Sequence, residues 1–226
     1  MSEQLRRHII EICRRMSVAG VNQGTSGNVS VRHEDGFLIT PSSLRYDIME
    51  PDDIVCMDFD GGYAGRRLPS SEWRFHRDIL KARADRTSVV HCHSTFATSF
   101  SCHRREIPPY HYMIGVAGGT TIRCAKYAAY GTQELSDNAL IALEARDACL
   151  LASHGQIAVG RDLEHAFRIA VEVETLARNY IQALAIGEPV MMTDEEMDQV
   201  LRQMKQMSYG FPPDLESVTD RPTKRK

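Results

Sequence analysis

Two histidines separated by one residue, His91 and His93, have the types and spacing that most directly suggest chemistry. They follow an apolar, β-branched run at 87–90, which predicts a short buried strand. Because successive side chains alternate faces along a strand, both imidazoles are predicted to point the same way. Two imidazoles so arranged can bind one zinc ion, and catalytic zinc sites hold three protein ligands and leave one position open.

His154 is the best candidate for a third ligand. Residues 148–153 form a second buried-strand pattern, which ends at this histidine and is followed by Gly155. Two strand-end histidine patterns favour a metal site more strongly than one. Histidines that serve only packing, or that lie on the surface, are the alternative, and the residues alone leave it open.

Three turns carry hydroxyl, amide and glycine groups of the kind that bind anions. Their candidate anion ligands are Thr25, Asn28, Ser42, Ser43, Ser70 and Ser71. Unpaired N–H groups in glycine-rich turns and at helix N-termini attract anions. The pair at 70–71 is the sharpest signal, because a helix is predicted to begin directly after it. The alternative is that each turn is only a cap or a connection.

Glu72 follows the second of these serines. A carboxylate in the first turn of a helix is stabilised by the helix dipole, which is the simpler interpretation. The functional interpretation places it between a metal and an anion pocket as a general acid or base. Tyr112 is ambiguous between a structural role and proton donation, and His76 has no partner pattern and is interpreted as a packing or surface residue.

Composition narrows the class of protein. The chain has 226 residues with 27 basic and 30 acidic side chains, a net charge of −3. This fits one large domain and gives no reason to expect nucleic acid as a partner. We expect no membrane association and no signal peptide, since no apolar run is long enough. Six scattered cysteines without a CxxC pair favour free thiols in the cytoplasm.

The periodicity of apolar residues predicts one α/β domain in which helices sandwich a sheet. Helices are predicted at 3–19, 72–80, 94–103, 133–146, 162–186 and 193–207, and strands at 29–32, 37–40, 54–58, 87–93 and 148–160. The domain is predicted to span 1–211. Residues 212–226 are polar and contain proline, so we expect a disordered tail.

Together these residues resemble the class II aldolase/adducin family over roughly 1–210. The resemblance rests on NQGTSGNVSVR (22–32), LITP (38–41), LPSSEWRFH (68–76), VHCH (90–93), HYMI (111–114), AGG (117–119), YGTQELS (130–136) and LLASHG (150–155). No single segment is specific, but the set is. It implies a three-layer α-β-α sandwich with a mainly antiparallel sheet, assembled as a C4 homotetramer with sites between subunits.

The resemblance also implies roles for the candidate residues. His91, His93 and His154 would bind one Zn²⁺ per subunit, although three histidines also accept Mn, Fe or Co. Glu72 would be the catalytic base, and Tyr112 would donate a proton across a subunit boundary. The hydroxyl-rich turns would bind the phosphate of a ketose 1-phosphate, such as L-fuculose 1-phosphate or a 5-deoxy or 5-substituted pentulose 1-phosphate. Cleavage would give dihydroxyacetone phosphate and a small aldehyde.

Two features depart from the family pattern. Ser43 replaces the glycine of a Thr-Pro-Thr-Gly turn, which puts phosphate binding at that turn in question. In the possible aldehyde pocket, Tyr130 replaces a phenylalanine, and Tyr209 follows about two extra residues. These changes affect the choice of aldehyde.

Three other functions are alternatives. A pentulose-phosphate 4-epimerase on this scaffold is expected to carry Asp where this chain has Glu72. A sugar-phosphate dehydratase is less firmly excluded. A non-catalytic adducin-like scaffold is expected to lack the histidines and the glutamate.

Overall fold

An eight-stranded sheet forms the centre of the computed structural model, which describes residues 2–207. The strands are β1 (Asn28–His33), β2 (Gly36–Ile39), β3 (Val55–Asp58), β4 (Tyr63–Ala64), β5 (Ser88–Cys92), β6 (Cys124–Ala125), β7 (Ala148–Leu151) and β8 (Gly155–Gly160). Their order is β4-β3-β2-β1-β5-β8-β7-β6. Every neighbouring pair is antiparallel except β6 and β7. Tyr209 and the predicted tail lie outside the described residues.

Helices cover both faces of the sheet. They are α1 (Ser2–Val18), α2 (Trp73–Ala82), α3 (Thr95–Ser101), α4 (Gln133–Ala142), α5 (Leu163–Ile186) and α6 (Asp194–Gln206), with 3₁₀ turns at Pro51–Asp53 and Tyr112–Ala117. One apolar cluster lies beneath α2 and α4, and the other lies beneath α1, α3 and α5. The predicted three-layer sandwich with a mainly antiparallel sheet is confirmed. Among the described helices, none combines the length and apolar character needed to cross a bilayer.

The neighbouring strands β5 and β1 place two of the candidate site residues, His91 and Asn28, on the face of the sheet that α2 covers. Val89 packs in the cluster beneath α2, whereas Val90 packs in the opposite cluster. Alternation places His91 on the face of Val89, and its ring meets the ring of Phe75 from α2 edge-on at 5.4 Å. Asn28 is paired with His91 across β1 and β5, so its side chain also projects toward α2.

The start of α2 differs from the prediction in a way that matters for function. The helix begins at Trp73, and Glu72 occupies the cap position without making a side-chain capping bond. The alternative interpretation, in which a serine of the 70–71 pair caps this helix, is therefore wrong. The Ser70 hydroxyl instead accepts a hydrogen bond from the Glu72 backbone N–H at 3.3 Å, which leaves the Glu72 carboxylate available to the site.

Candidate metal centre and active-site pocket

The three predicted metal ligands converge. One nitrogen from each of His91, His93 and His154 lies within 4.8 Å of the others. The ring centroids are 4.8–5.0 Å apart, with interplanar angles of 72–88°. His91 and His93 reach the site from the end of β5, and His154 from the tight turn between β7 and β8. Three imidazole nitrogens this close to one another can bind a single metal ion.

The polarity of these atoms fits a cation. His91 Nδ1 lies 2.9 Å from the carbonyl oxygen of Gln156, so Nδ1 carries the proton and Nε2 keeps a lone pair. That Nε2 faces Glu72 Oε2 at 3.2 Å and His93 Nε2 at 3.1 Å. Glu72 Oε1 is buried, lies 3.2 Å from His154 Nε2, and has no hydrogen-bond partner among the described residues. These nitrogen and oxygen atoms all offer lone pairs, and no donor lies between them. A divalent metal ion bound at this position would accept those lone pairs.

Burial sets the charge of these groups. Burial, and then the neighbouring His91, lower the pKa of His93 to about 4 and the pKa of His154 to about 3. Both imidazoles are therefore neutral near pH 7, the form that binds a metal. Burial by itself raises the pKa of Glu72, but attraction to His91 and His154 in their protonated forms, and the hydrogen bond from Asn28, lower it by more. The pKa of Glu72 thus lies well below its ordinary value, and the carboxylate is ionised.

A cavity of about 400 Å³ adjoins the metal centre. It is lined by Glu72, His93 and His154, by all six predicted anion ligands (Thr25, Asn28, Ser42, Ser43, Ser70 and Ser71) and by the predicted pocket residue Tyr130. Tyr112 does not line it, and is 49% exposed on its 3₁₀ turn. Hydroxyls that can donate to an anion, the Glu72 carboxylate and two of the three imidazoles thus line one cavity.

Close approach of backbones explains two glycines in these turns. A Cβ at Gly27 would lie 2.6 Å from Asn22 Oδ1 and 2.8 Å from the His91 carbonyl oxygen. Gly131 has φ of +73°, and a Cβ there would lie 2.7 Å from the Ser71 carbonyl oxygen. A side chain at either position would push a hydroxyl-rich turn away from the cavity.

Ser43 has a left-handed backbone conformation, which glycine adopts without steric cost. Its φ is +58°, in the left-handed region that non-glycine residues occupy at a cost of about 1–2 kcal/mol. Its hydroxyl lies 3.4 Å from the Ser42 hydroxyl at the cavity wall. The turn therefore has a backbone suited to glycine at this position and carries a hydroxyl there.

Sequence reasoning missed three residues around this cavity. Tyr127 lines it beside Tyr130. Asn22, which is buried, accepts a hydrogen bond from the His93 backbone N–H at 3.3 Å and so ties the glycine-rich turn to β5. His76, interpreted as a packing or surface residue, is fully buried and hydrogen-bonds to Asn28. Its position four residues after Glu72, on the same helix face, is the signal that could have revealed it.

His76 is expected to make stability depend on pH. Burial lowers its pKa to about 3, against about 6.5 in solvent. The unfolded chain binds a proton that the folded chain excludes, so this stabilisation is complete above about pH 6.5 and declines as the pH falls toward 3. Urea unfolding of metal-free protein should show a shallower acid decline for His76→Gln than for wild type. The exposed His103, changed to Gln, should keep the wild-type slope, and equal slopes for all three would contradict the prediction.

Comparison with known proteins agrees with this site. Residues 7–181 match the sequence model of the family described as Class II Aldolase and Adducin N-terminal domain. The 5-methylthioribulose-1-phosphate/5-deoxyribulose-1-phosphate aldolase of Rhodospirillum rubrum is 50% identical over 206 residues, which cover 91% of this chain and 92% of that protein. The L-fuculose phosphate aldolase of Escherichia coli K12 is 47% identical over 209 residues, covering 92% and 96%. A solved L-fuculose 1-phosphate aldolase superposes with a TM-score of 0.87 at 40% identity, covering 89% and 96%.

The chain belongs to the class II aldolase and adducin N-terminal domain family. Within it, the chain is a class II aldolase, and therefore a lyase. Aldolases of this class depend on a metal, which the cluster of His91, His93 and His154 can hold. The resemblance is thus confirmed, and the named relatives favour an aldolase over the epimerase, the dehydratase and the non-catalytic scaffold.

Proposed function

We propose that this enzyme reversibly cleaves a ketose 1-phosphate to dihydroxyacetone phosphate and a small aldehyde. The substrate is L-fuculose 1-phosphate or a 5-deoxy or 5-substituted pentulose 1-phosphate, the two kinds that appear in the names of its relatives. The observation that carries the proposal is the ionised Glu72, which contacts two imidazoles of the histidine cluster and shares their cavity with the hydroxyl-rich turns.

The hydroxyl-rich turns are proposed to hold the phosphate. Ser70 and Ser71 directly precede Glu72, the N-cap residue of α2, where N–H groups and the helix dipole attract an anion. Thr25, Ser42 and Ser43 add hydroxyl donors from two further turns of the same cavity. When the turns bind the phosphate at the non-reacting end of the sugar, the reacting carbons are held in a fixed position relative to the Glu72 carboxylate. The free energy of phosphate binding thereby helps to orient the reacting groups.

Cleavage needs a proton to leave the C4 hydroxyl while the C3–C4 bond breaks, which gives the aldehyde and an enediolate. A Zn²⁺ ion on His91, His93 and His154 would supply positive charge that stabilises this enediolate. The proton of the C4 hydroxyl passes to solvent through the Tyr112 hydroxyl. Glu72, protonated from solvent, delivers its proton to C3 and forms dihydroxyacetone phosphate; in the condensation direction the ionised carboxylate removes this proton. The low pKa of Glu72 keeps it ionised in the resting enzyme, as a base requires for condensation.

The assembly and location are also part of the proposal. We propose a C4 homotetramer in which Tyr112 of one subunit reaches the cavity of its neighbour and donates a proton to the aldehyde oxygen during condensation. The exposure of Tyr112 and its absence from its own subunit's cavity support this. We place the enzyme in the cytoplasm, which agrees with six cysteines that are all unpaired in the described chain.

A coupled assay for dihydroxyacetone phosphate tests the function. Metal-loaded enzyme would be offered ketose 1-phosphates that differ at C5, before and after EDTA treatment and after addition of Zn, Mn, Fe or Co. We expect release of dihydroxyacetone phosphate that EDTA abolishes and zinc restores best. No release from any ketose by metal-loaded enzyme would overturn the proposal.

Ser43 offers a test of the phosphate site. In Ser43→Gly the strain of the left-handed backbone disappears, while the unfolded chain gains about 0.4–1 kcal/mol of conformational entropy. Stability should therefore change by less than about 1 kcal/mol. Loss of one hydroxyl donor to a charged group costs about 1.5 kcal/mol, so KM for the phosphorylated ketose should rise about tenfold.

The matched control for Ser43→Gly is Ala145→Gly. Ala145 has a similar φ of +53° but does not line the cavity, so its variant should show the same stability change with an unaltered KM. Urea unfolding and steady-state kinetics measure the two effects. An unchanged KM in Ser43→Gly would remove Ser43 from the phosphate site.

Complementation tests the role of Tyr112. Tyr112→Phe should lose about 100-fold in kcat, the lower end of the range for general acid catalysis. When it is co-expressed with Glu72→Gln, random tetramers should contain intact sites, because each site takes Glu72 and Tyr112 from different subunits. An intact Glu72 comes only from Tyr112→Phe subunits and an intact Tyr112 only from Glu72→Gln subunits, and each kind makes up half of the subunits. About one quarter of the sites (½ × ½) should therefore contain both intact residues and be active. Activity no higher than that of the better parent would contradict a shared site.

A further inference from the structure

A chain of hydrogen bonds lies behind the Glu72 carboxylate. Glu72 Oε2 accepts from Asn28 Nδ2 at 3.0 Å, and Asn28 Oδ1 lies 2.5 Å from His76 Nε2. His76 Nδ1 in turn lies 2.7 Å from the Ser30 hydroxyl. Glu72 and Asn28 are 5% and 4% exposed, and His76 and Ser30 are fully buried. This chain of hydrogen bonds therefore leads from Ser30 through His76 and Asn28 to Glu72 at the cavity. Its far end, at His76 and Ser30, has no contact with solvent.

The direction of every bond in this chain is determined. An ionised carboxylate only accepts, so Asn28 must turn its NH₂ group toward Glu72 and its oxygen toward His76. The nitrogen that faces this oxygen, His76 Nε2, must then carry the proton. His76 Nδ1 is left with a lone pair, which accepts from the Ser30 hydroxyl.

We propose that His76 is a positioning residue, which holds the Asn28 amide and, through it, the Glu72 carboxylate in the orientation required for proton transfer. The inference rests on the proposed role of Glu72 as the base. His76 does not line the cavity, so it acts only through Asn28. Without the donor at Nε2, the Asn28 amide can rotate and present its oxygen to the carboxylate, which would repel Glu72 from its present place.

The surroundings of His76 hold its ring in one orientation. Its ring stacks on Phe75 with centroids 4.6 Å apart, and the Ser30 hydroxyl fixes the far nitrogen. Phe75 in turn contacts the ring of His91. Burial keeps the pKa of His76 at about 3, so the imidazole remains neutral and its single proton stays on one nitrogen across the working pH range.

Proton exchange in dihydroxyacetone phosphate isolates the step that this chain serves. In D₂O and without aldehyde, the base removes a proton from the hydroxymethyl carbon and returns a deuteron, which NMR detects. The variants are His76→Phe, which keeps a stacking ring but has no donor, and His76→Gln, whose amide N–H can still donate to Asn28. Metal content, KM and kcat are measured on the same samples.

We expect His76→Phe to slow exchange and kcat by about 10- to 100-fold, the usual loss when an outer hydrogen-bond partner of a site is removed. KM should stay within about threefold and metal content should be unchanged. His76→Gln should recover most of the exchange rate. A folded His76→Phe protein that exchanges at the wild-type rate would overturn the positioning role, and absence of exchange in wild type would instead overturn the proposed function.

The tautomer of His76 gives a readout that does not need activity. Nitrogen-15 NMR, with the His76 signals assigned from the His76→Gln spectrum, should show a protonated Nε2 and a bare Nδ1. If His76→Phe does not fold, His76→Met replaces it, because methionine likewise has no N–H that can donate to Asn28 and should slow exchange to a similar extent. The opposite tautomer in wild type, or unchanged exchange in a folded His76→Met protein, would overturn the proposal.

Discussion

Glu72→Gln is expected to lower kcat by about 10²- to 10⁴-fold, the range for loss of a positioned general acid or base. Glutamine has the same length, and its Oε1 can still accept the hydrogen bond that Asn28 Nδ2 donates to Glu72 at 3.0 Å. It cannot take or return a proton at neutral pH. We therefore expect KM to stay within about threefold, because the phosphate turns do not depend on this charge.

The measurements for Glu72→Gln are metal content, steady-state kinetics and exchange of dihydroxyacetone phosphate protons in D₂O. Glu164→Gln is the matched control, because Glu164 also carries hydrogen-bonded contacts, to Arg15 at 2.9 Å and to His8 at 3.2 Å, but does not line the cavity. It should reduce stability and leave kcat unchanged. A Glu72→Gln enzyme that keeps its metal and more than a third of its kcat would show that Glu72 is not the base.

The convergence of the three candidate metal ligands was predictable because their geometry is local. Alternation along one strand was enough to place His91 and His93 on the same face, and the end of a second buried strand identified His154. The six hydroxyl and amide residues of the turns were likewise recognisable as turn residues, and all of them line the cavity. Threonine favours the N-cap position of a helix, and Thr132 and Thr193 each accept a backbone hydrogen bond at that position.

The residues that sequence reasoning missed depend on the order of strands in the sheet. His76 meets Asn28 across 48 positions, and this happens only because β1 lies beside β5 beneath α2. Periodicity does not reveal which strands are neighbours. Asn28 was predicted as a phosphate ligand, yet its oxygen and one N–H are engaged with His76 and Glu72. Its contribution to phosphate binding stays a prediction, limited to the remaining N–H.

His154→Ala is expected to remove the metal and with it the activity. Two imidazoles would remain where catalytic zinc sites hold three protein ligands. Removing a group that only hydrogen-bonds to a metal ligand lowers the affinity for the metal by up to about 100-fold. Removing the ligand itself should therefore lower this affinity by more than about 100-fold. We expect little metal after dialysis, activity reduced at least as strongly, and partial recovery when zinc is supplied in excess.

His154 is the best ligand to change because the fold should tolerate the loss of its imidazole. The His154 backbone N–H donates to the Leu151 carbonyl oxygen at 3.1 Å and to the Ser101 hydroxyl at 3.3 Å, and neither bond involves the side chain. His91, in contrast, is fully buried in β5, where truncation would leave a cavity. Atomic absorption, thermal unfolding and the coupled assay measure the effects, with exposed His103→Ala as the control that should resemble wild type. Full metal retention by His154→Ala would mean that the cluster does not bind its ion through this imidazole.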